Sequence, residues 1–419
     1  MRRRMLLGLA ALALGLAACS AGSPAPDSEG SDGAAAGATA GELVGGVDPA
    51  AREQAIAAAE DFDPFAHTDS ATPPWPWELS ARGVDVPAMV PLDELRSGGP
   101  PPDGIPPIDD PQFESVAAAD EWLTDRDPVL LIEHGTAVRA YPLAILTFHE
   151  VVNDVVAGDP LLVTYCPLCN SALAFERTLD GEVVEFGTSG RLWRSNLVMY
   201  DRATRSLWLQ FTGEAIVGAR VGDQLERLPL QMAAWGDVAQ RWADAEVLSR
   251  DTGHDRPYGE NPYVGYDEGG SPMLFGDDTG GPLEQMQRVV ATGGDADPVA
   301  YPLEVLREQR VIHDEVDGQR AVVLWAPGTA SALDSRDLAA GDDVGTSGVF
   351  RPRVDGRALT FEPAGEKRVT DQETGSTWTV LGEAVDGPLQ GARLTRMAHD
   401  DTFWFVQHAF RPDTRVVQP

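Results

Sequence analysis

The chain has 419 residues, 43% hydrophobic and 23% charged, which suits a globular protein large enough for two domains. Its formal net charge of -34 argues against partners with phosphate backbones or anionic headgroups, so nucleic-acid binding is not expected. Three cysteines are too few for a disulfide framework, and the fold must rest on its core.

Arg2, Arg3 and Arg4 precede an uncharged apolar run from Met5 to Ala18 that ends in small residues, the pattern of a cleavable secretory leader over residues 1–18. The segment Leu16-Ala17-Ala18-Cys19 is similar to a bacterial lipobox, which predicts lipidation at Cys19 and a mature protein anchored through lipid to the extracytoplasmic face of a bacterial membrane. From Ser20 to about Gly46 the chain is Ala, Gly, Ser, Pro and Asp with hardly a large apolar residue, so a flexible tether is predicted over 19–60. At roughly 5–6 Å times the square root of its length, that tether holds the folded part about 35 Å from the anchor. No later segment has eighteen uninterrupted apolar residues.

Beyond the tether the chain matches itself. Fourteen of the thirty-four positions from Ala140 to Leu173 are identical to Ala300 to Leu333 without a gap. With gaps, Gly187-Thr188-Ser189-Gly190 echoes Gly345-Thr346-Ser347-Gly348, and Asp201, Thr204 and Trp208 echo Asp371, Thr374 and Trp378. The expected fold is mainly β with some helix (α+β), in two internally duplicated, mostly antiparallel units. The first covers 61–250, its matching part starting near 103; a linker loop covers 251–284 and the second, degenerate unit 285–419.

Within the first unit, Ala137 to Tyr141 reads as a short strand, and Leu143, Leu146 and Glu150 have the spacing of a helix from Pro142 to about Val152. Leu161 to Tyr165 is a continuous β-rich run. Leu173 to Arg177 and Glu182 to Phe186 flank the hairpin signal Leu179-Asp180-Gly181, and Leu197 to Tyr200 pairs with Ser206 to Phe211 across a turn. Asp251 to about Gly281, rich in Gly, Pro and Tyr, reads as a long surface loop.

The strongest chemical signal is Val163-Thr164-Tyr165-Cys166-Pro167-Leu168-Cys169-Asn170-Ser171. Two thiols at this spacing can converge on one metal ion, or open and close a small disulfide ring with Cys166 as nucleophile and Cys169 resolving it. In the second unit Pro327, Ser331, Ala332 and Leu333 persist while the cysteines become Ala326 and Thr329, so a turn that keeps its scaffold without its sulfurs is expected there. His149 is lost in parallel, to Gln309, which makes it the preferred third metal ligand beside Cys166 and Cys169, for a copper or zinc ion. Met199 is a weaker thioether candidate for Cu(I). Arg191 to Asn196 offers donors beside an aromatic face, and Trp208 and Gln210 are possible pocket walls. No serine-hydrolase elbow, zincin helix or nucleotide-binding loop stands in a suitable context.

These pieces resemble the domain-of-unknown-function 3179 family of bacteria and archaea. The resemblance is carried by Asp103-Gly104-Ile105-Pro106, Ala140-Tyr141-Pro142-Leu143, His149-Glu150-Val151-Val152-Asn153-Asp154 and Tyr165-Cys166-Pro167-Leu168-Cys169. It continues through Ser195 to Asp201, Thr212 to Ile216, Asp371 to Trp378 and Phe403-Trp404-Phe405. Asn170 departs from the expected Gly, a replacement that a left-handed turn residue can bear. The resemblance implies an exported setting and no assigned activity. Three functions stay open: a metal-binding lipoprotein, an extracytoplasmic thiol–disulfide oxidoreductase, and a binding or scaffold lipoprotein without chemistry.

Overall fold

The computed structural model describes residues 47–276 and 280–418; the leader, Cys19 and most of the tether lie outside the described residues. Regular structure begins inside the range expected to be tether. Pro49–Ala59 forms helix α1, opened by Pro49 and by Asp48, whose carboxylate accepts the Ala50 amide. An alanine-rich stretch lacks core-forming side chains yet has the highest helix propensity, which is why composition alone reads it as linker. Ala55 is buried, and Arg52 reaches the carboxylate of Glu214 at 2.8 Å.

Strands β1 (Pro128–His134) and β2 (Ala137–Pro142) make an antiparallel hairpin, followed by helix α2 (Leu143–His149). The helix stops three residues short of the expected Val152. Glu150 turns left-handed at φ 59, and the β-branched run after it enters strand β3 (Val151–Val156). Strand β3 pairs with β4 (Asp159–Cys166), and β4 with β5 (Ser171–Glu176). A meander follows, of β6 (Phe186–Trp193), β7 (Asn196–Asp201), β8 (Leu207–Leu209) and β9 (Ala215–Val217). The expected turn at Asp180-Gly181 joins a two-residue ribbon, both residues having positive φ as a tight hairpin requires.

After residue 285 a hairpin–helix–hairpin order recurs: β10 (Arg288–Thr292), β11 (Val299–Pro302), helix α3 (Leu303–Gln309), β12 (Val311–Val316) and β13 (Gln319–Ala326). Helix α3 ends as α2 does, with Arg310 left-handed at φ 63. The likeness stops at the next turn. Where β4 folds back at once into β5, the chain after Ala326 wanders irregularly, and β13 takes β14 (Thr346–Arg351) as its partner. The expectation that the turn scaffold survives there is therefore corrected. The position of left-handed Asn170 is held by Ala330, whose Cβ disfavours that conformation, and Ser331 turns its hydroxyl to Asp267 and Arg288.

A second meander, β15 (Phe361–Pro363), β16 (Arg368–Asp371), β17 (Thr377–Thr379) and β18 (Ala384–Asp386), precedes β19 (His399–Phe403) and helix α4 (Trp404–Phe410). The cores cross the expected unit boundary. Phe403, Phe405 and Phe410 pack in one cluster with Tyr165, Cys166, Cys169 and Leu173, while Trp235 and Val129 share another with Phe350 and Trp378. Among the described residues no helix is long and apolar enough to cross a membrane.

The recurring Asp-x-x-Thr-x-x-x-Trp pattern is structural. Asp201, fully buried, accepts the Thr204 amide at 2.6 Å, its hydroxyl at 2.8 Å and the Trp208 indole N–H at 3.0 Å. Asp371 does the same for Thr374 and Trp378 at 2.6, 2.8 and 2.9 Å. Asp201→Ala and Asp371→Ala each leave a buried indole N–H unpaired and should each cost about 2–4 kcal/mol, read as a lowered denaturant midpoint.

Candidate functional site

The turn between β4 and β5 is closed by its own backbone. The Cys169 amide donates to the Cys166 carbonyl and the Asn170 amide to the Pro167 carbonyl, each at 3.1 Å. Asn170 takes φ 49, and its amide nitrogen donates to the Asp401 carbonyl at 2.9 Å while its oxygen accepts from the Tyr165 hydroxyl at 3.2 Å. A side-chain amide able to bond on both sides offsets the cost of the left-handed backbone. The turn sets the two sulfurs 3.2 Å apart, both as free thiols, with Cys166 2% and Cys169 0% exposed.

The surroundings of the two sulfurs differ. Cys169 Sγ accepts the side-chain N–H of Asn196 at 3.3 Å and points its own hydrogen at the Ser195 carbonyl, 3.6 Å away. That carbonyl is delivered by the β6–β7 turn, where Arg194 and Ser195 are both left-handed at φ 48 and 66. Asn196 is itself held by Gln210, whose Oε1 accepts from it at 2.9 Å, and by the Phe211 amide, which donates to its oxygen at 3.0 Å. Gln210 in turn donates to the Thr164 hydroxyl at 3.0 Å. Burial pushes the Cys169 thiol well above its usual range, the neighbouring Cys166 adds to this, and the Asn196 N–H pulls the other way.

Strand β19 clasps the turn from the far end of the chain. Phe403 N and the Thr402 hydroxyl both donate to the Cys169 carbonyl, at 3.1 and 2.9 Å. The Asp400 carboxylate accepts the Ser171 hydroxyl at 2.6 Å and the Ala172 amide at 3.0 Å. Burial raises the Asp400 carboxyl to about 6 and the Asp401 carboxyl to about 7.

His149 ends helix α2 with both ring nitrogens engaged. Nδ1 lies 2.6 Å from the Pro106 carbonyl, which can only accept, so Nδ1 carries the hydrogen and Nε2 accepts from the Tyr258 hydroxyl at 2.7 Å. Burial lowers its pKa to about 4, so the ring is neutral at pH 7. Among the described residues no three His, Cys, Asp or Glu side chains gather where they could hold a metal ion, so His149 does not join the thiols in such a group. Met199 is buried core, opposite Trp208 across the β7–β8 ladder. Arg191 lies over the Trp77 ring and Arg194 donates to the Ala409 carbonyl at 3.0 Å, so that stretch braces the fold.

The loop expected after residue 251 covers both features. Tyr258 meets His149, the Tyr266 hydroxyl donates to the Leu168 carbonyl at 2.9 Å, and the Ser195 hydroxyl donates to the Met273 carbonyl at 2.6 Å. The same segment leaves Val264, Met273 and Leu274 exposed at 54%, 47% and 42%. Reasoning from sequence missed Asn196 and Asp400 as neighbours of the dithiol. Asn196 had one available signal, its place in the Ser195 to Asp201 stretch. Asp400 had none, lying 229 residues from Ser171.

Residues 102–414 match the family model described as a protein of unknown function, DUF3179. No curated protein and no solved structure matches the chain.

Glu150 is fixed beside the site by its carbonyl, which accepts the Tyr165 amide at 2.8 Å, and burial alone raises its carboxyl from 4.5 to about 8. The unfolded carboxyl ionises above 4.5 while the buried one keeps its proton, so this contribution to stability is full below 4.5 and drains away as pH rises toward 8. Glu150→Gln should match the native chain in stability near pH 4 and exceed it by about 2–4 kcal/mol at pH 8, in denaturant melts at the two values.

Proposed function

The chain belongs to the DUF3179 family of unknown function, and on that premise we propose that it is an exported, lipid-anchored thiol–disulfide oxidoreductase whose working pair is Cys166 and Cys169. The observation that carries the reading is the 3.2 Å contact between two free sulfurs. A disulfide needs the sulfurs about 2.05 Å apart, so closure asks for a shift of about 1 Å within one short turn. A metal would ask for a smaller shift of the sulfurs but for further ligands, and among the described residues no three His, Cys, Asp or Glu side chains gather to hold one. With metal–sulfur bonds of roughly 2.3 Å, a tetrahedral ion spreads its two sulfurs to about 3.8 Å and needs two further ligands. Burial and the overlying loop shield the pair from indiscriminate oxidation, which suits thiols that serve an oxidising compartment.

The test is thiol counting by alkylation, across glutathione buffers of graded ratio, on protein purified without oxygen. Both thiols should disappear together as one two-electron couple, and Cys166→Ser or Cys169→Ser should abolish the transition while costing less than about 1 kcal/mol of stability. A pair that stays reduced throughout, or stoichiometric zinc or copper by elemental analysis, would overturn the redox reading in favour of a structural or a metal site. The anchor has its own test. Cys19→Ala should abolish palmitate labelling and move the protein from the membrane to the soluble fraction.

A further inference from the structure

We infer that Asn196 is the positioning residue of the dithiol, holding Cys169 as the fixed, resolving sulfur while Cys166 is the sulfur that exchanges with a disulfide-bearing partner. The inference rests on the redox reading above and adds to it the residue that fixes the resolving sulfur. Cys169 is immobilised from two sides. Its carbonyl accepts from Phe403 N and Thr402 Oγ1, and its sulfur has the Asn196 N–H at 3.3 Å and the Ser195 carbonyl at 3.6 Å. The only hydrogen-bond-distance neighbour of the Cys166 sulfur among the described residues is Cys169 itself. Of the two sulfurs, Cys166 is therefore the one free to swing.

Asn196 is suited to the role because it cannot turn away. It is fully buried, its oxygen is tied to Phe211 N, and its nitrogen is shared between Gln210 and Cys169. Gln210 is fixed through Thr164 on the strand that ends in Cys166. A chain of hydrogen bonds thus runs from the strand bearing one sulfur, through two amides, to the other sulfur.

The exchange balances with an external disulfide, R–S–S–R′, as oxidant. The Cys166 sulfur attacks one sulfur of that bond, an S–S bond to R forms, and R′–S leaves with the proton from Cys166. The Cys169 sulfur then attacks Cys166 Sγ, closing the internal disulfide, and R–S leaves with the proton from Cys169. The two cysteines lose two electrons and the partner gains them as two thiols. The second step depends on where Cys169 Sγ sits, and a misplacement of about 1 Å can slow such an intramolecular attack by up to about a hundredfold.

The experiment treats the full chain with oxidised glutathione and follows the mixed disulfide by mass spectrometry, mapping its site by peptide digestion. In the native chain the adduct should be fleeting and on Cys166. In Asn196→Ala it should persist at least about tenfold longer, and the equilibrium with glutathione should shift at least about tenfold toward the dithiol. Asn196→Asp, which keeps the shape but removes the donor, should act in the same direction and serves if the alanine variant does not fold. An adduct on Cys169, or native lifetimes and equilibria in both variants, would overturn the inference and leave the redox reading standing. A native chain that forms no internal disulfide would overturn both.

Discussion

One buried carboxylate decides where the dithiol turn can close. Asp400 takes the first hydroxyl and the first inward amide of β5, Ser171 and Ala172, and so pins the start of that strand. A carboxylate buried this deeply is tolerable only when its oxygens are filled and a cation lies near, and Arg227 supplies the charge. With the start of β5 fixed and the end of β4 paired to it, four residues are left to reverse direction, and the two sulfurs are pressed together. The adjacent Asp401 bonds the Ser347 hydroxyl on β14. Two successive residues of β19 thereby hold a strand from each half of the chain.

That arrangement explains what could be read from the sequence and what could not. The hairpins, the short helices and the turn signals are local, set by β-branched runs, by Asp-Gly pairs and by the spacing of leucines, and they lie close to where these patterns place them. The left-handed Asn170 was legible for the same reason. The clasp from β19 was not, because nothing about Asp400 in its own neighbourhood distinguishes it from a surface acid. The early helix α1 was misread because alanine serves linker and helix equally well. The fate of the second turn was also hidden, since identity at Pro327, Ser331, Ala332 and Leu333 suggested a preserved scaffold. A single change from Asn to Ala removes the residue best able to hold the backbone left-handed.

His149 shows how one observation can admit two geometries. It disappears together with the cysteines in the second half, as members of one metal site would. The structure gives the covariation another account, since one loop covers both features, through Tyr258 at the imidazole and through Tyr266 at the dithiol turn. A neutral imidazole with a donor at Nδ1 and an acceptor at Nε2 is here a latch for that loop.

The latch matters because both sulfurs of the closed dithiol are buried. Burial pushes the Cys169 thiol well above its usual range, which disfavours its thiolate while the cover is closed. On the redox reading, chemistry must await movement of the loop. Three side-chain hydrogen bonds hold it near the site, and the amides of Asn261, Gly265 and Tyr266 donate to the carbonyls of Arg336, Asp334 and Leu333. Phe275, packed 5.1 Å from Phe405, anchors the downstream end. Opening the cover therefore breaks contacts made away from the dithiol as well as those made beside it. The fold protects the thiols by covering them, and the cover is tied both to the dithiol turn and to the irregular segment after β13.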